Sequence, residues 1–231
     1  MSPSRFCIFE EPLPYPEAVS LQGELVSARL ADQIPDTFLL LQHPPVITLG
    51  RRGRKNFLLA DDETLRKQGV EVHISTRGGD VTYHGPGQWV LYPILKLGSN
   101  EMGAHGYLHA LESVALQTAG DFGIEAFRKE GKAGAWCEQG KFSAIGFKFT
   151  RWVTSHGLSL NVKPNLGFFD LIVGCGLVGE QVSSFEKVLG EQNCPEMDAV
   201  AEAMRKAVGE VFQRELIDIA PRMLGKPVSS V

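Results

Sequence analysis

Two residue types able to do chemistry together bracket one stretch of this chain. Lys141 opens it and Cys175 lies one residue before its end, in KFSAIGFKFTRWVTSHGLSLNVKPNLGFFDLIVGCG. A free thiol with a pKa of about 8.5 is only about 3 per cent thiolate at pH 7, and a drop of about 1.5 units makes half of it thiolate. An ammonium held beside the sulfur would produce that drop, because an opposite charge favours the ionised form. The chemistry on offer is nucleophilic attack by a thiolate.

Each residue taken alone has an ordinary role, Cys175 as a small buried hydrophobe and Lys141 as a solvated charge. Local context argues for more. Cys175 sits between Gly174 and Gly176 after the apolar run Phe168-Phe169-Asp170-Leu171-Ile172-Val173, so no neighbouring side chain blocks the approach of a substrate. If residues 141 to 149 form a strand, the period of two puts Lys141 on the face of Ile145, Phe147 and Phe149. A partly desolvated lysine holds its proton less firmly and suits acid–base work.

The elements that must position this pair alternate between extended and helical patterns. Arg5 to Phe9 reads as a short strand, followed by a helix from about Pro16 with Ala18, Leu21, Leu25 and Ala28 on one face. Thr37 to Leu41 and Val46 to Leu49 read as buried strands interrupted by Pro44-Pro45. The dense basic cluster Arg51-Arg52-Gly53-Arg54-Lys55 follows, then a short helix from Asp61 to Gly69 and a strand from Glu71 to Ser75. Next comes a loop from Arg77 to Gln88, rich in glycine at Gly78, Gly79, Gly85 and Gly87, which implies sharp turns or close backbone approach. It matches neither the dinucleotide fingerprint nor the phosphate loop. A helix from about His105 to Phe122 carries His109, and Ala133 to Val162 reads as two or three strands carrying Lys141. Ser183-Ser184-Phe185-Glu186 has the form of a capping box, and Asp198 is placed to cap a last helix with Val200, Met204, Val208, Val211 and Phe212 in one stripe. The tail from Pro221 is expected to be loosely held.

With 231 residues, 43% hydrophobic and 22% charged, the chain suits one domain over residues 1–231 with its core at about 5–214. A formal net charge of −4 supplies no basic field for nucleic acid. No run approaches about 18 apolar residues, so no membrane span is expected, and acidic residues near the N-terminus argue against a signal peptide. The cysteines Cys7, Cys137, Cys175 and Cys194 contain no C-x-x-C pair and the histidines no H-E-x-x-H. A metal site is therefore not expected, and free thiols in a cytoplasmic protein are.

Three blocks, RGGDVTYHGPGQWVLYPI, GKFSAIGFKFTRWVTSHGLSLNV and FFDLIVGCGL, make the chain resemble the lipoyl(octanoyl) transferases of lipoate biosynthesis over about Arg5 to Phe212. The resemblance implies an α/β (α+β) fold of mixed sheets with packed helices, like the catalytic domain of biotin and lipoate protein ligases. It implies an octanoyl donor, octanoyl-acyl carrier protein, and acceptors that are lipoyl domains of 2-oxoacid dehydrogenases and the glycine cleavage H protein. No cofactor is implied beyond the phosphopantetheine that delivers the acyl group, and neither nucleic acid nor membrane is a partner. By resemblance Cys175 becomes the acyl thioester and Lys141 adjusts its pKa. The acyl-binding positions fall on Arg77-Gly78-Gly79-Asp80-Val81-Thr82-Tyr83-His84, on Ala144-Ile145-Gly146 and on Gly157-Leu158-Ser159. Cys137 stands where an aliphatic residue is expected, four positions before Lys141, so a second thiol near the site is conceivable. His43 and His73 are expected only as hydrogen-bonding scaffold. Other readings are an ATP-dependent lipoate or biotin ligase, and an acyl-binding protein without turnover.

Overall fold

The structure, a computed structural model, describes residues 3–53, 57–98, 102–173 and 180–225. Cys175, Arg54 and Lys55 lie outside the described residues.

The run Thr37–Leu41 (β2) is buried at every position, which a strand requires when both faces of its sheet are covered. Phe38 and Leu40 point into one apolar cluster, Leu39 and Leu41 into another. The eight-stranded sheet that contains β2 has the order β11-β1-β2-β6-β10-β9-β8-β7. Its other members are β1 (Ser4–Ile8), β6 (Gln88–Ile94), β7 (Phe127–Lys129), β8 (Lys132–Cys137), β9 (Gly140–Thr150), β10 (Val153–Asn161) and β11 (Leu216–Asp218). β1 runs parallel to β2 and β11, and the remaining neighbours are antiparallel. Helices α3 (Ala104–Asp121) and α5 (Met197–Phe212) cover one face through Tyr107, Leu111, Val114, Met204 and Val208. Helix α1 (Tyr15–Leu30) covers part of the other face through Ala18, Leu25 and Val26, packed on Val90, Tyr92 and Ile94. Among the described residues no helix is long and apolar enough to cross a membrane.

A second sheet, β4-β3-β5, comprises β3 (Val46–Leu49), β4 (Glu71–Ile74) and β5 (Val81–His84). With α2 (Asp62–Lys67) and the 3-10 turn Leu166–Leu171 it forms a small core around Ile47, Leu65, Val81 and Tyr83. The glycine-rich loop of the sequence reading thus contains a strand, β5, held antiparallel to β3.

Two details of chain direction matter for the site. Between β8 and β9 the register shifts, so that Trp136 lies opposite Lys141 but Ala135 opposite Ser143. The extra residue is Phe142, and it turns with Ser143 toward the core, where it packs 5.7 Å from the Phe185 ring. Lys141 therefore does not share the face of Ile145, Phe147 and Phe149, as strict alternation predicts. The bulge moves it to the opposite face, beside Trp136. The second detail is Pro93 inside the central strand β6, where it has no N–H for the ladder. Thr154 Oγ1 donates to the Pro93 carbonyl at 2.6 Å and accepts from the Leu95 N–H at 2.9 Å. Nearby β10 breaks its alternation at His156, whose φ is +56°.

Helix α4 (Phe185–Leu189) is capped by Ser184, whose hydroxyl accepts from the Lys187 N–H, so the cap lies one residue beyond the Ser183 box. Asp198 does not cap α5; the cap position is Glu196, and Asp198 lies in the first turn, where its charge favours the helix dipole. Within the described residues the tail from Pro221 is held at Leu224, which packs against the α1 side of the sheet.

Candidate active site

On the face of β9 and β10 turned from α3, the side chains are small. Ala144 lies opposite Ser159, Gly146 opposite Gly157, and Val90 of β6 continues the Ser159 row. These residues floor a cavity of about 570 Å³ between the large sheet and the small one. The roof is the connection from β4 to β5, seated directly on the floor: a Cβ on Gly146 would lie 2.7 Å from the Gly78 carbonyl oxygen.

Arg77 builds that roof. Its guanidinium donates to the Thr48 carbonyl at 2.6 Å, to the Thr48 hydroxyl at 2.8 Å and to the Gly78 carbonyl at 2.9 Å. The Arg51 and Arg52 N–H groups bond the carbonyls of Arg77 and Gly79, and the Gly78 N–H reaches the Phe147 carbonyl. Gly79 has φ +84°, a conformation that a side chain would strain. Arg77 is thus a strut for the loop, an arrangement its fork of donors suits.

Of the positions singled out by sequence, Lys141, Arg77 to Thr82, His84, Ala144 to Gly146 and Gly157 to Ser159 all line the cavity. Tyr83 does not. Strand alternation turns it into the small core, stacked on Phe168 with centroids 4.9 Å apart, and burial raises its hydroxyl pKa to about 12. Cys137 is also turned away. It is buried in the large core and its sulfur bonds the Gly140 carbonyl, so it is on the face opposite Lys141 and is not a second thiol at the cavity.

The Lys141 ammonium lies 5.4 Å from the centre of the Trp136 ring, a cation–π distance. Its stem runs over Gly134, where a Cβ would approach the Lys141 Cε to 2.6 Å. Lys129 and Lys132 also reach the Trp136 ring, and both donate to Glu180. Those bonds hold the Glu180 carboxyl below the usual range.

Several cavity residues have no sequence signal that marks them. Tyr15, Tyr92 and His156 line it, and His43 stands behind them. His43 Nδ1 lies 2.6 Å from the Leu13 carbonyl, which can only accept, so Nε2 receives the Tyr92 hydroxyl at 2.8 Å. This is the hydrogen-bonding scaffold role expected of His43. His84 Nδ1 lies 2.6 Å from Gln88 Oε1, and the Gln88 amide is oriented by donating to the Tyr83 carbonyl. The proton of His84 is thus on Nδ1, leaving Nε2 as the acceptor of a cavity-lining ring. Burial lowers the pKa of His43 and of His156 to about 4, with Arg77 and Lys148 adding to the effect on His156. His84 is pushed well below its ordinary value by burial and then by His43. The site combines buried neutral imidazoles, a lysine and a floor of small side chains.

Residues 14–209 match the family model of the lipoyl protein ligase A/B catalytic domain. The octanoyltransferase of Acidobacterium capsulatum is 41% identical over 216 residues, covering 88% of each chain. That of Caldicellulosiruptor saccharolyticus is 45% identical over 204 residues, covering 87% of this chain and 86% of its own. Among solved structures, a lipoate-protein ligase A bound with ATP superposes with TM-score 0.74 at 11% identity, covering 94% of this chain and 89% of that one. A putative lipoate protein ligase from Thermoplasma acidophilum with bound lipoic acid gives 0.72 at 11% identity, covering 94% and 89%. At that identity the likeness shows the mixed α/β fold. The chain belongs to the lipoyl protein ligase A/B catalytic-domain family, on its octanoyltransferase branch.

Proposed function

We propose that this protein transfers an octanoyl group from octanoyl-acyl carrier protein to a lysine of lipoyl domains in 2-oxoacid dehydrogenases and the glycine cleavage H protein. The observation that carries the reading is a strip of small side chains, Ala144, Gly146, Gly157 and Ser159, roofed by the Arg77 loop and bordered by Lys141. An aliphatic chain lies on such a floor with its thioester at the lysine end.

In this scheme Cys175, as thiolate, attacks the carbonyl carbon of the carrier thioester. The carbon–sulfur bond to phosphopantetheine breaks, and its sulfur takes a proton from the Lys141 ammonium. The acyl group is then on Cys175 and Lys141 is neutral. A lysine amine of the acceptor attacks the new thioester, Lys141 takes the proton its nitrogen sheds, and the Cys175 sulfur leaves as thiolate. The ion pair is restored, and the thioester supplies the driving force, so no nucleotide enters the balance. Backbone N–H groups of the glycine-bearing loops stabilise the oxyanion, each such donor typically contributing about 3 kcal/mol.

The test is to mix the protein with octanoyl-acyl carrier protein without acceptor and locate the adduct by intact mass and peptide mapping. One octanoyl group on the peptide holding Cys175, absent in Cys175→Ala, supports the reading. An adduct kept by Cys175→Ala, or transfer from free octanoate and ATP without carrier, overturns it.

A further inference from the structure

A run of hydrogen bonds through buried amides joins the two sides of the cavity at its lysine end. His84 Nδ1 donates to Gln88 Oε1 at 2.6 Å, Gln88 Nε2 to Asn161 Oδ1 at 2.8 Å, and Asn161 Nδ2 to the Ser183 carbonyl at 2.9 Å. The Ser183 N–H in turn donates to the Lys141 carbonyl, and the Lys141 N–H to the Gln181 carbonyl, each at 2.8 Å. Both backbone groups of Lys141 are therefore held by residues 181 to 183, and Asn161 holds that segment from its other side. Gln88 and Asn161 face each other at the end of the β6–β10 ladder, 1% and 5% exposed. Every side-chain amide atom in the run has a partner, and each orientation is fixed by a carbonyl that can only accept.

Two primary amides buried in a sheet of valines and leucines are not what packing alone selects, since an apolar pair of equal volume fills the same space without polar groups to satisfy. What the amides join is specific. One end fixes the tautomer of His84, whose ring lines the cavity. The other fixes the main chain of Lys141 and the segment that follows the residues carrying Cys175.

We propose that Gln88 and Asn161 are positioning residues for acyl transfer, which fix the tautomer of His84 and hold the main chain of Lys141 against residues 181 to 183. This rests on the Cys175–Lys141 scheme above. Gln88 stands behind the cavity wall and Asn161 is part of it, but the Asn161 amide is engaged by Gln88 and Ser183, so both act on placement, and a displacement of about 1 Å at a reacting group costs about 100-fold in rate.

The experiment uses the full chain and the octanoyl thioester of N-acetylcysteamine, a small donor that needs no docking. Asn161→Ala removes the bond to Ser183 and is expected to slow single-turnover acylation about 100-fold while KM changes by less than about threefold. Gln88→Glu keeps the acceptor for His84 but replaces an amide by a carboxylate, which favours imidazolium. Its expected signature is an acid limb of the rate–pH profile displaced to higher pH, with a cooperative thermal melt retained. If Asn161→Ala only lowers the melting temperature, and the folded enzyme acylates at the parent rate, the proposal is overturned. If Asn161→Ala does not fold, Gln88→Glu decides, and an unmoved acid limb overturns it. Peptide mapping of the wild-type adduct separates the two levels, because an adduct away from Cys175 contradicts the acyl-transfer scheme whatever the variants do.

Discussion

The two faces of β9 and β10 are built from the same residues in alternation and do opposite things. On the α3 side Phe142, Phe149 and Leu160 fill space and contribute to stability, while Ile145, Phe147 and Leu158 fill it and also border the cavity. On the cavity side Ala144, Gly146, Gly157 and Ser159 leave space empty. The bulge at Phe142 lets one strand serve both, because it sends a phenylalanine to the filled face and a lysine to the empty one. Substitutions on one face should therefore change activity with little loss of stability, and on the other the reverse.

The largest effect expected is on the empty face. Lys141→Ala should lower turnover about 10³-fold, the range of a lost acid–base group, with a melting temperature close to that of the parent. A parent-like rate would remove Lys141 from the chemistry. On the filled face Leu160→Ala, at a fully buried position, should cost about 3 kcal/mol in denaturant unfolding, while the folded fraction keeps its specific activity. A specific loss of turnover in that variant would erase the distinction between the faces.

Acid provides a third probe, directed at the buried imidazoles behind the empty face. His43 and His156 titrate at about 4 in the folded protein and near 6.5 when unfolded. The folded state thus binds fewer protons between those values, so this part of the stability is complete above pH 6.5 and is lost as pH falls below it. At pH 5.5 each contributes about 1.4 kcal/mol of destabilisation, and His84 acts in the same direction. Denaturation midpoints at pH 7.5 and 5.5 should differ accordingly; equal midpoints would mean the imidazoles are accessible to protons. The smallest effect is at the rim. Arg52 lines the cavity mouth with its side chain 73% exposed, and Arg51 beside it is exposed. Charge reversal of both should raise KM for acidic carrier-bound donor several-fold at low salt and leave a small thioester donor unaffected. Equal changes for both donors would dismiss docking there.

Much of this was legible in the sequence for physical reasons. Strands buried on both faces, such as Thr37–Leu41, read as unbroken apolar runs, and the stripe of α5 follows the helical period. The glycines of the Arg77 loop marked close approach, and Gly79 and Gly146 show where it occurs. Other features depend on tertiary pairing that no local pattern encodes. Phe142-Ser143 reads as ordinary alternation, and only the partner strand reveals the extra residue. Val81 to His84 is too short and too closely flanked by glycines to announce a strand. The left-handed His156 and the tolerated Pro93 each depend on residues far away in the chain, Gln22 and Thr154.

The pairing of charge and sulfur is tested most directly by the pH dependence of iodoacetamide alkylation at Cys175, followed by peptide mapping in the parent and in Lys141→Met. A midpoint well below about 8.5 in the parent, rising by about one unit or more in the variant, is the result the account predicts. Coincident profiles with an ordinary thiol midpoint would contradict it.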